Sequence, residues 1–313
     1  MSEIGAPCSW YPVALSADVG ARPVPLRAFG ADYVLFRTRV GQVTAVARYC
    51  LHMGADLARA RVVDGGLRCN LHGWVYAQDG RCAQGGVAAL KRLALHECGG
   101  VVHAWPGAEP EWSFPELPGL QSPRAAAPSV EKFACPMHAI GLNGFDVWHY
   151  GSVHRRQVRT VRDAPEVSSK GAHHLGLAFT ADVEAVSIYD KLLIRLGYGT
   201  LRVQLDYYGG NLIFVRNLSG GYLALLSMAP EGEQRCKVYV IAFTEAKGAL
   251  PVQPARYLLR VLFRHIAMYF LKADEPYLTG MRPEEGLLVD GKDDVARAFW
   301  RWWRALPRVE APP

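Results

Sequence analysis

Two short pairs of metal-binding residue types constrain this chain more than any other feature. Cys50 and His52 are separated by one residue, and after a gap of 16 residues Cys69 and His72 are separated by two. A zinc finger normally keeps its cysteines in one pair and its histidines in the other. The mixed order instead favours a two-iron cluster, in which two thiolates bind one iron and two imidazoles bind the other.

Length and cysteine content are consistent with such a site. A length of 313 residues exceeds what one hydrophobic core usually covers, so two domains are expected. The seven cysteines are an odd number, and the first residues, MSEIGAPCSWYPV, lack the pattern of a secretory peptide. We therefore expect a cytoplasmic protein whose thiols are reduced and available to a metal.

Charge and hydropathy exclude two other classes of protein. The net charge of +6 is spread along the chain without a dense basic block, so we expect no nucleic-acid site. The most apolar long segment, residues 257–274, is interrupted by Arg260, Arg264 and His265. This pattern predicts an amphipathic helix and no membrane span.

Hydrophobic patterning divides the chain into two parts. Short β-branched and aromatic runs between Tyr33 and Trp105 predict a small antiparallel β domain. Six prolines between Pro106 and Pro128 indicate a linker or crossing segment. Several strands predicted over 174–243, with helices over 254–273 and 293–306, indicate an α+β domain. The predicted domains are 1–118 and 119–313.

No G-x-G-x-x-G fingerprint for a nucleotide cofactor is present. Any electrons that the protein uses must therefore be delivered by another protein.

The loops CLHMGA and CNLHGW resemble those of a Rieske iron–sulfur domain. The resemblance implies that Cys50 and Cys69 bind one iron and that His52 and His72 bind the other. Respiratory Rieske proteins carry an extra cysteine in each loop, where this chain has Ala55 and Leu71. The resemblance is therefore to the oxygenase and ferredoxin branch.

A second constellation, NGFDVWHYGSVH, contains two histidines five residues apart. Ideal helical geometry would separate His149 and His154 by roughly 140°, so convergence on a metal requires a local distortion, which Gly151 makes easier. Two imidazoles and one carboxylate form the facial triad of non-haem Fe(II) oxygenases. Taken alone, a pair of histidines at this spacing is more typical of a packed or surface role than of a metal site.

The same segment resembles the motif N-x-x-D-x-x-H-x4-H of the catalytic domain of Rieske non-haem iron oxygenases, supplied here by Asn143, Asp146, His149 and His154. The resemblance implies a helix-grip (START-like) domain with an antiparallel sheet and long helices. It also implies that His149 and His154 bind a mononuclear iron. Asp146 would be a carboxylate bridge between an iron-ligand histidine and a cluster histidine, His72, of a neighbouring subunit, which implies a homotrimer.

The third iron ligand should be a carboxylate far along the chain. By resemblance to the family, FLKADEPYLTGMRP supplies Asp274 on a helix after the strands. The alternatives that remain open are Glu275, Asp290, Asp293 and Asp294. Because the residue before a proline disfavours helix, Pro276 predicts that Asp274 and Glu275 lie at or just past a helix end, whereas Asp290, Asp293 and Asp294 are expected in the loop and cap before the last helix.

These features predict the terminal component of a Rieske oxygenase. It would use dioxygen and electrons that originate from NAD(P)H and arrive through a separate reductase, with a ferredoxin as a possible intermediary. The compact motif favours the homomeric monooxygenase branch, which hydroxylates or oxidatively demethylates a mid-sized apolar or polycyclic small molecule. Three alternatives stay open: ring cis-dihydroxylation, a Rieske electron-transfer protein, and a zinc-binding structural protein. The sequence leaves the identity of the substrate open.

Overall fold

The structure is a computed structural model that describes residues 5–85, 88–118, 120, 123–160, 163–186, 188–195, 197, 199–218, 222–245 and 253–309. It divides into two compact units. The first comprises Met1–Phe114 together with the C-terminal residues from Arg308, and the second comprises Pro115–Pro307. The structural division therefore lies four residues before the boundary at 118 that the sequence predicts.

The first unit is built from short antiparallel strands. The strands are β1 (Tyr11–Leu15), β2 (Val24–Ala28), β3 (Ala31–Arg37), β4 (Val43–Ala47), β5 (Arg61–Val63), β6 (Gly66–Arg68), β7 (Val75–Tyr76), β8 (Arg92–Leu93), β9 (Leu95–Cys98) and β10 (Val101–Ala104). One sheet has the order β1-β10-β9, a second β2-β3-β4-β8, and a third β5-β6-β7. The third sheet carries the second cysteine–histidine pair in the loop between its last two strands.

The second unit contains an antiparallel sheet and the helices. The strands are β11 (Pro123–Ala125), β12 (Ser129–Phe133), β13 (Arg156–Val158), β14 (Glu166–Ser168), β15 (His174–Val183), β16 (Thr200–Tyr208), β17 (Leu212–Asn217), β18 (Tyr222–Pro230) and β19 (Cys236–Glu245). Their main order in the sheet is β11-β19-β18-β17-β16-β15-β13, with β12 paired to β19 and β14 paired to β15. The helices are α1 (Met137–Phe145), α2 (His149–Ser152), α3 (Ile188–Arg195), α4 (Gln253–Leu278) and α5 (Asp294–Ala305). The predicted α+β class, with an antiparallel sheet and long helices, is confirmed.

Strict alternation in β16 gives the sheet two different faces. Leu201, Val203, Leu205 and Tyr207 line a cavity, whereas the alternate residues, such as Asp206, point to the opposite face. Successive side chains of a strand point to opposite sides, so one apolar series is enough to build one wall. Helix α4 packs against β18 and β19 and carries further cavity residues.

The long helix differs from its predicted bounds. We expected it to end near residue 273, but α4 continues to Leu278 and contains Pro276. A proline lacks an N–H group, so the helix loses one hydrogen bond there, and it ends two residues later. Asp274 therefore lies inside the last turns of α4. Among the described residues, no helix is long and apolar enough to cross a membrane.

Candidate metal centres

Two loops of the first unit close with the same hydrogen-bond pattern. In one, the Cys50 N–H donates to the carbonyl oxygen of Ala55 at 2.9 Å and the Gly54 N–H to that of Cys50 at 2.8 Å. In the other, the Cys69 N–H donates to the carbonyl oxygen of Trp74 at 2.8 Å and the Gly73 N–H to that of Cys69 at 3.0 Å. Each cysteine therefore occupies the first position of an equivalent turn.

The fifth position of each turn requires a left-handed backbone. The φ angles of Gly54 and Gly73 are 70° and 76°, a conformation that glycine adopts at the lowest cost. The position of the histidine differs between the loops, since His52 occupies the third position and His72 the fourth. The glycine in each of the segments CLHMGA and CNLHGW is thus part of the turn itself.

The four candidate cluster ligands are arranged by type. Cys50 and Cys69 are 4% and 3% exposed and belong to one apolar core, whereas His52 and His72 are exposed to solvent. The Nδ1 atoms of the two histidines lie 3.1 Å apart. The site thus offers two buried thiols on one side and two solvent-facing imidazoles on the other, which matches the donor set of a Rieske cluster.

Two aromatic residues support these loops. The Tyr76 hydroxyl accepts a hydrogen bond from the Leu51 N–H at 3.0 Å, so its own proton is available to Cys50 Sγ, 3.2 Å away. Burial raises the pKa of the Cys50 thiol, but hydrogen bonds from Tyr76 and from the loop backbone outweigh it and lower that pKa. The ring of Trp74 stacks on His52 with centroids 4.5 Å apart. No motif in the sequence indicated a role for Tyr76.

The second unit brings His149, His154 and Asp274 together. One ligand atom from each lies within 4.8 Å of those of the other two, and all three residues are buried. The Nε2 atom of His154 is 3.0 Å from Asp274 Oδ1, and that of His149 is 3.9 Å from it. The convergence does not need the distorted helix that the sequence predicted, because α2 ends at Ser152 and His154 follows it in a turn.

The donor set fits a metal ion. Asp274 Oδ1 is buried, and no described residue forms a hydrogen bond with it. Burial lowers the pKa of His149, with partial opposition from the carbonyl of Asp146 and the carboxylate of Asp274, so its imidazole is held neutral. Neutral imidazoles and a carboxylate without a proton-donating partner are the ligands that a non-haem Fe(II) site requires.

The contact between Asp146 and His149 differs from the carboxylate contact that the resemblance implied. The Nδ1 atom of His149 is hydrogen-bonded to the carbonyl oxygen of Asp146, and not to its carboxylate. The carboxylate instead accepts a hydrogen bond from the Trp148 N–H at 2.9 Å. A three-residue separation at the end of α1 places the main-chain oxygen nearest the ring, while a short aspartate side chain bonds the N–H two residues ahead. The partly exposed carboxylate keeps its other oxygen for further contacts.

A buried ion pair supports the turn that carries His154. The Arg156 guanidinium donates to the carbonyl oxygens of His154 and Arg155 at 3.1 and 3.2 Å and to Asp190 at 2.7 Å. Arg155 has a φ of 55°, unusual for a residue with a side chain. Arg156 therefore fixes a strained turn directly behind a candidate ligand, and no motif in the sequence had indicated it.

The three converging residues border a cavity of about 180 Å³. Most of its wall is apolar, and its polar residues are few. The residues that line it are Ile140, Asn143, Gly144, His149, Tyr150, His154, Arg156, Phe179, Ala181, Leu201, Val203, Leu205, Tyr207, Ile213, Val215, Ala224, Leu226, Ala267, Phe270, Leu271 and Asp274. Such a cavity, lined by apolar side chains with a few polar groups, is typical of a small-molecule site.

The rival carboxylates lie elsewhere in the same unit. Glu275 is exposed to solvent. Asp290 pairs with Arg297, and Asp293 and Asp294 accept backbone hydrogen bonds in the loop before α5. The geometry favours Asp274 over each of them, because Asp274 alone in this group is buried beside His154.

Comparisons with known proteins show similarity over both parts of the chain. Residues 9–94 match the model of the Rieske [2Fe-2S] domain. Over 94% of this chain and 90% of its relative, the sequence is 25% identical to aminopyrrolnitrin oxygenase PrnD of Pseudomonas fluorescens. The chain is a Rieske non-haem iron oxygenase. This enzyme accordingly uses a [2Fe–2S] cluster and a mononuclear iron, with dioxygen as cosubstrate.

Other proteins are similar to this chain over a shorter segment or in fold only. The chain is 47% identical to phenoxybenzoate dioxygenase subunit alpha of Ectopseudomonas oleovorans over 73 residues, which are 23% of this chain and 18% of that protein. A crystal structure of dicamba monooxygenase bound to dicamba matches with a TM-score of 0.63 at 17% identity, covering 95% of this chain and 96% of the other. That match shows a shared fold over nearly the whole oxygenase.

Proposed function

We propose that this oxygenase hydroxylates or oxidatively demethylates a largely apolar small molecule. The observation that carries the proposal is the cavity, which joins the buried group of His149, His154 and Asp274 to a mostly apolar wall. The compact N-x-x-D-x-x-H-x4-H motif favours incorporation of one oxygen atom by a homomeric enzyme over ring cis-dihydroxylation.

Each metal group is assigned to a defined set of side chains. Cys50, Cys69, His52 and His72 would hold the cluster, and His149, His154 and Asp274 would hold the mononuclear iron. The arrangement of buried thiols and exposed imidazoles supports the first assignment, and the convergence of three buried donors supports the second. When bound, the two groups supply electron storage and the activation of dioxygen.

The residues of the chain contribute binding, orientation and exclusion of water. The Asp146 carbonyl holds the proton of His149 at Nδ1, which leaves Nε2 as the ligand atom facing Asp274. The Tyr150 hydroxyl donates to the carbonyl oxygen of Gly144 at 3.0 Å and so ties α2 to α1 beside the cavity. An apolar wall excludes water from the reacting position.

The size of the cavity limits the part of the substrate that it encloses. An engineered apolar cavity of about 150 Å³ binds benzene, so about 180 Å³ accommodates roughly one substituted ring. A polycyclic substrate would have to extend beyond this volume. We therefore favour a substrate whose reacting portion is monocyclic or aliphatic.

Electron supply requires partners, as expected from the absence of a nucleotide fingerprint in the sequence. A separate reductase, with or without a ferredoxin, would reduce the cluster at its exposed histidines. A homotrimer would let the free oxygen of the Asp146 carboxylate approach His72 of the partner subunit. The exposure of His72 and the partial exposure of Asp146 support this arrangement. The cytoplasmic location expected from the sequence remains part of the proposal.

Single-turnover oxygenation tests the proposal. Reduced enzyme loaded with iron and sulfide is exposed to ¹⁸O₂ with a panel of methyl-substituted rings and aryl methyl ethers, including toluene and anisole. The matched control is the variant His149→Ala/His154→Ala. We expect ¹⁸O-labelled alcohol, or phenol with formaldehyde, from the wild type alone. Equally fast reoxidation of the cluster in both proteins, with no oxygenated product from any probe, would favour the electron-transfer alternative.

A further inference from the structure

Tyr207 places a hydroxyl group in an otherwise apolar part of the cavity. It stands on the cavity face of β16 next to Leu205 and is 1% exposed. Its ring packs edge-on against Phe145 and Phe299, with centroids 4.9 and 5.7 Å away. These contacts fix the ring, so the position of the hydroxyl is determined by packing.

The hydroxyl lies against the backbone of α1. A Cβ atom at Gly144 would come within 2.0 Å of the Tyr207 oxygen, so only glycine leaves room for it. The preceding residue, Asn143, also lines the cavity. The cavity therefore has a hydroxyl and a side-chain amide on neighbouring parts of one wall.

Neither polar group is used by the protein itself. Within the described part of the chain, no hydrogen bond satisfies the Tyr207 hydroxyl or the Asn143 amide. Asn143 is half-buried, whereas Tyr207 is buried, and a buried hydroxyl is hydrogen-bonded in the large majority of cases. A ligand that enters the cavity would provide the missing partner.

The charges around the cavity indicate a neutral partner. Burial raises the pKa of Tyr207, so its hydroxyl remains a neutral donor. The guanidinium of Arg156 is already paired with Asp190 at 2.7 Å. Apart from the metal ion that His149, His154 and Asp274 would hold, a carboxylate would meet no unpaired cationic side chain among the described residues that line the cavity. Burial of a charge away from such a partner is costly.

We propose that Tyr207 is a specificity-determining residue whose hydroxyl, together with the Asn143 amide, donates a hydrogen bond to a neutral oxygen acceptor on an otherwise apolar substrate. Carbonyl, nitro and ether oxygens belong to this class. The hydrogen bond would orient the molecule relative to His149, His154 and Asp274. That the bound molecule is a substrate rests on the proposed function, whereas its binding at this subsite does not require turnover.

Matched probes isolate the acceptor. Acetophenone and α-methylstyrene have nearly the same shape and differ in a carbonyl oxygen, and benzoate adds a charge. Their dissociation constants are measured anaerobically by calorimetry on wild-type holoenzyme, Tyr207→Phe and Tyr208→Phe. Tyr208 is the control because it follows Tyr207 on the opposite face of β16, against His174 and Phe214. Iron and sulfide content are measured for each protein.

We expect wild type to bind acetophenone roughly three- to tenfold more tightly than α-methylstyrene, the range of one net hydrogen bond. The ratio should fall to about one in Tyr207→Phe and persist in Tyr208→Phe, with benzoate the weakest ligand. Equal binding of the two neutral probes to wild type, binding of neither, or a ratio that survives in Tyr207→Phe would overturn the proposal. Tighter binding of benzoate than of acetophenone would overturn the inference that the acceptor is neutral.

Failure of the subsite differs from failure of the proposed function. A protein with both metal centres and ¹⁸O incorporation, but without the probe preference, would remain an oxygenase and would lose only the subsite. A protein that shows the preference but yields no labelled product would keep the subsite as a ligand site.

Discussion

The Nε2 atom of His154 lies 3.0 Å from Oδ1 of Asp274, yet no hydrogen bond joins them. The distance is that of an ion pair, but the angles are not those of a hydrogen bond, so both atoms face a common point without satisfying each other. Two electron-pair donors in this arrangement are costly when buried unless a proton or a metal ion lies between them. Both atoms are therefore placed where they could bind one metal ion.

Asp274→Ala should remove the mononuclear iron and leave the cluster intact. Loss of a residue that only orients a ligand typically costs 10- to 100-fold in metal affinity, so loss of a direct ligand should cost at least about 100-fold. The measurement is Fe(II) affinity with the visible spectrum of the cluster as internal reference. Glu275→Ala is the control, and a loss of iron in that variant instead would assign the ligand to Glu275.

Tyr76→Phe should lower the reduction potential of the cluster. A hydrogen bond to a ligand sulfur stabilises the reduced, more negative state, so its removal favours the oxidised state. One net hydrogen bond of about 0.5–1.5 kcal/mol corresponds to roughly 20–65 mV for one electron. Tyr49→Phe, at the exposed residue before Cys50, is the control for redox titration. An unchanged potential in Tyr76→Phe would show that the contact has no electronic effect.

Asp146→Asn should keep the mononuclear iron but slow electron transfer to it. His149 is held by the main-chain carbonyl of residue 146, which the substitution preserves, and an asparagine oxygen can still accept from the Trp148 N–H. What is lost is the negative charge proposed to connect the two metal centres, and we expect at least about a tenfold slower reoxidation of the reduced cluster. Stopped-flow spectroscopy measures that rate, and loss of iron would instead indicate that the carboxylate is structural.

Asp190→Ala should destabilise the second unit far more than Asp182→Ala. Asp190 and Arg156 form a buried pair, whereas Asp182 and Arg159 form an equivalent pair with side chains 45% and 38% exposed. Removing one partner of a buried pair costs about 3–5 kcal/mol, and an exposed pair contributes about 0–1 kcal/mol. Thermal unfolding compares the two variants, and equal shifts would contradict the role given to Arg156 behind His154.

Short motifs carried most of what the sequence could predict. The two cysteine–histidine pairs are local, so residue spacing was sufficient to indicate a two-iron site there. The cavity wall of β16 could not be predicted, because the series of alternate residues that faces inward depends on a strand register that the sequence leaves open. Asp274 required the resemblance to a family, because its distance from His149 along the chain gives no local signal.

Other features depend on tertiary contacts that spacing does not encode. A single aspartate can present either its carboxylate or its carbonyl oxygen to a nearby ring, and only the geometry at the end of α1 assigns the carbonyl of Asp146 to His149. Packing of α4 on the sheet outweighs the local preference for the helix to end before Pro276. Arg156, Tyr76 and Tyr207 act through partners on other strands or helices, so no sequence pattern marked them.

The most direct test of the two-centre account is the metal and sulfide content of anaerobically purified protein. Wild type should be red-brown and contain three irons and two acid-labile sulfides per chain, the sum of one Rieske cluster and one mononuclear site. The variant His149→Ala/His154→Ala should contain two irons and keep the paramagnetic resonance signal of the reduced cluster. A wild type that holds only two irons after reconstitution with Fe(II), or a colourless protein with one zinc, would contradict the account.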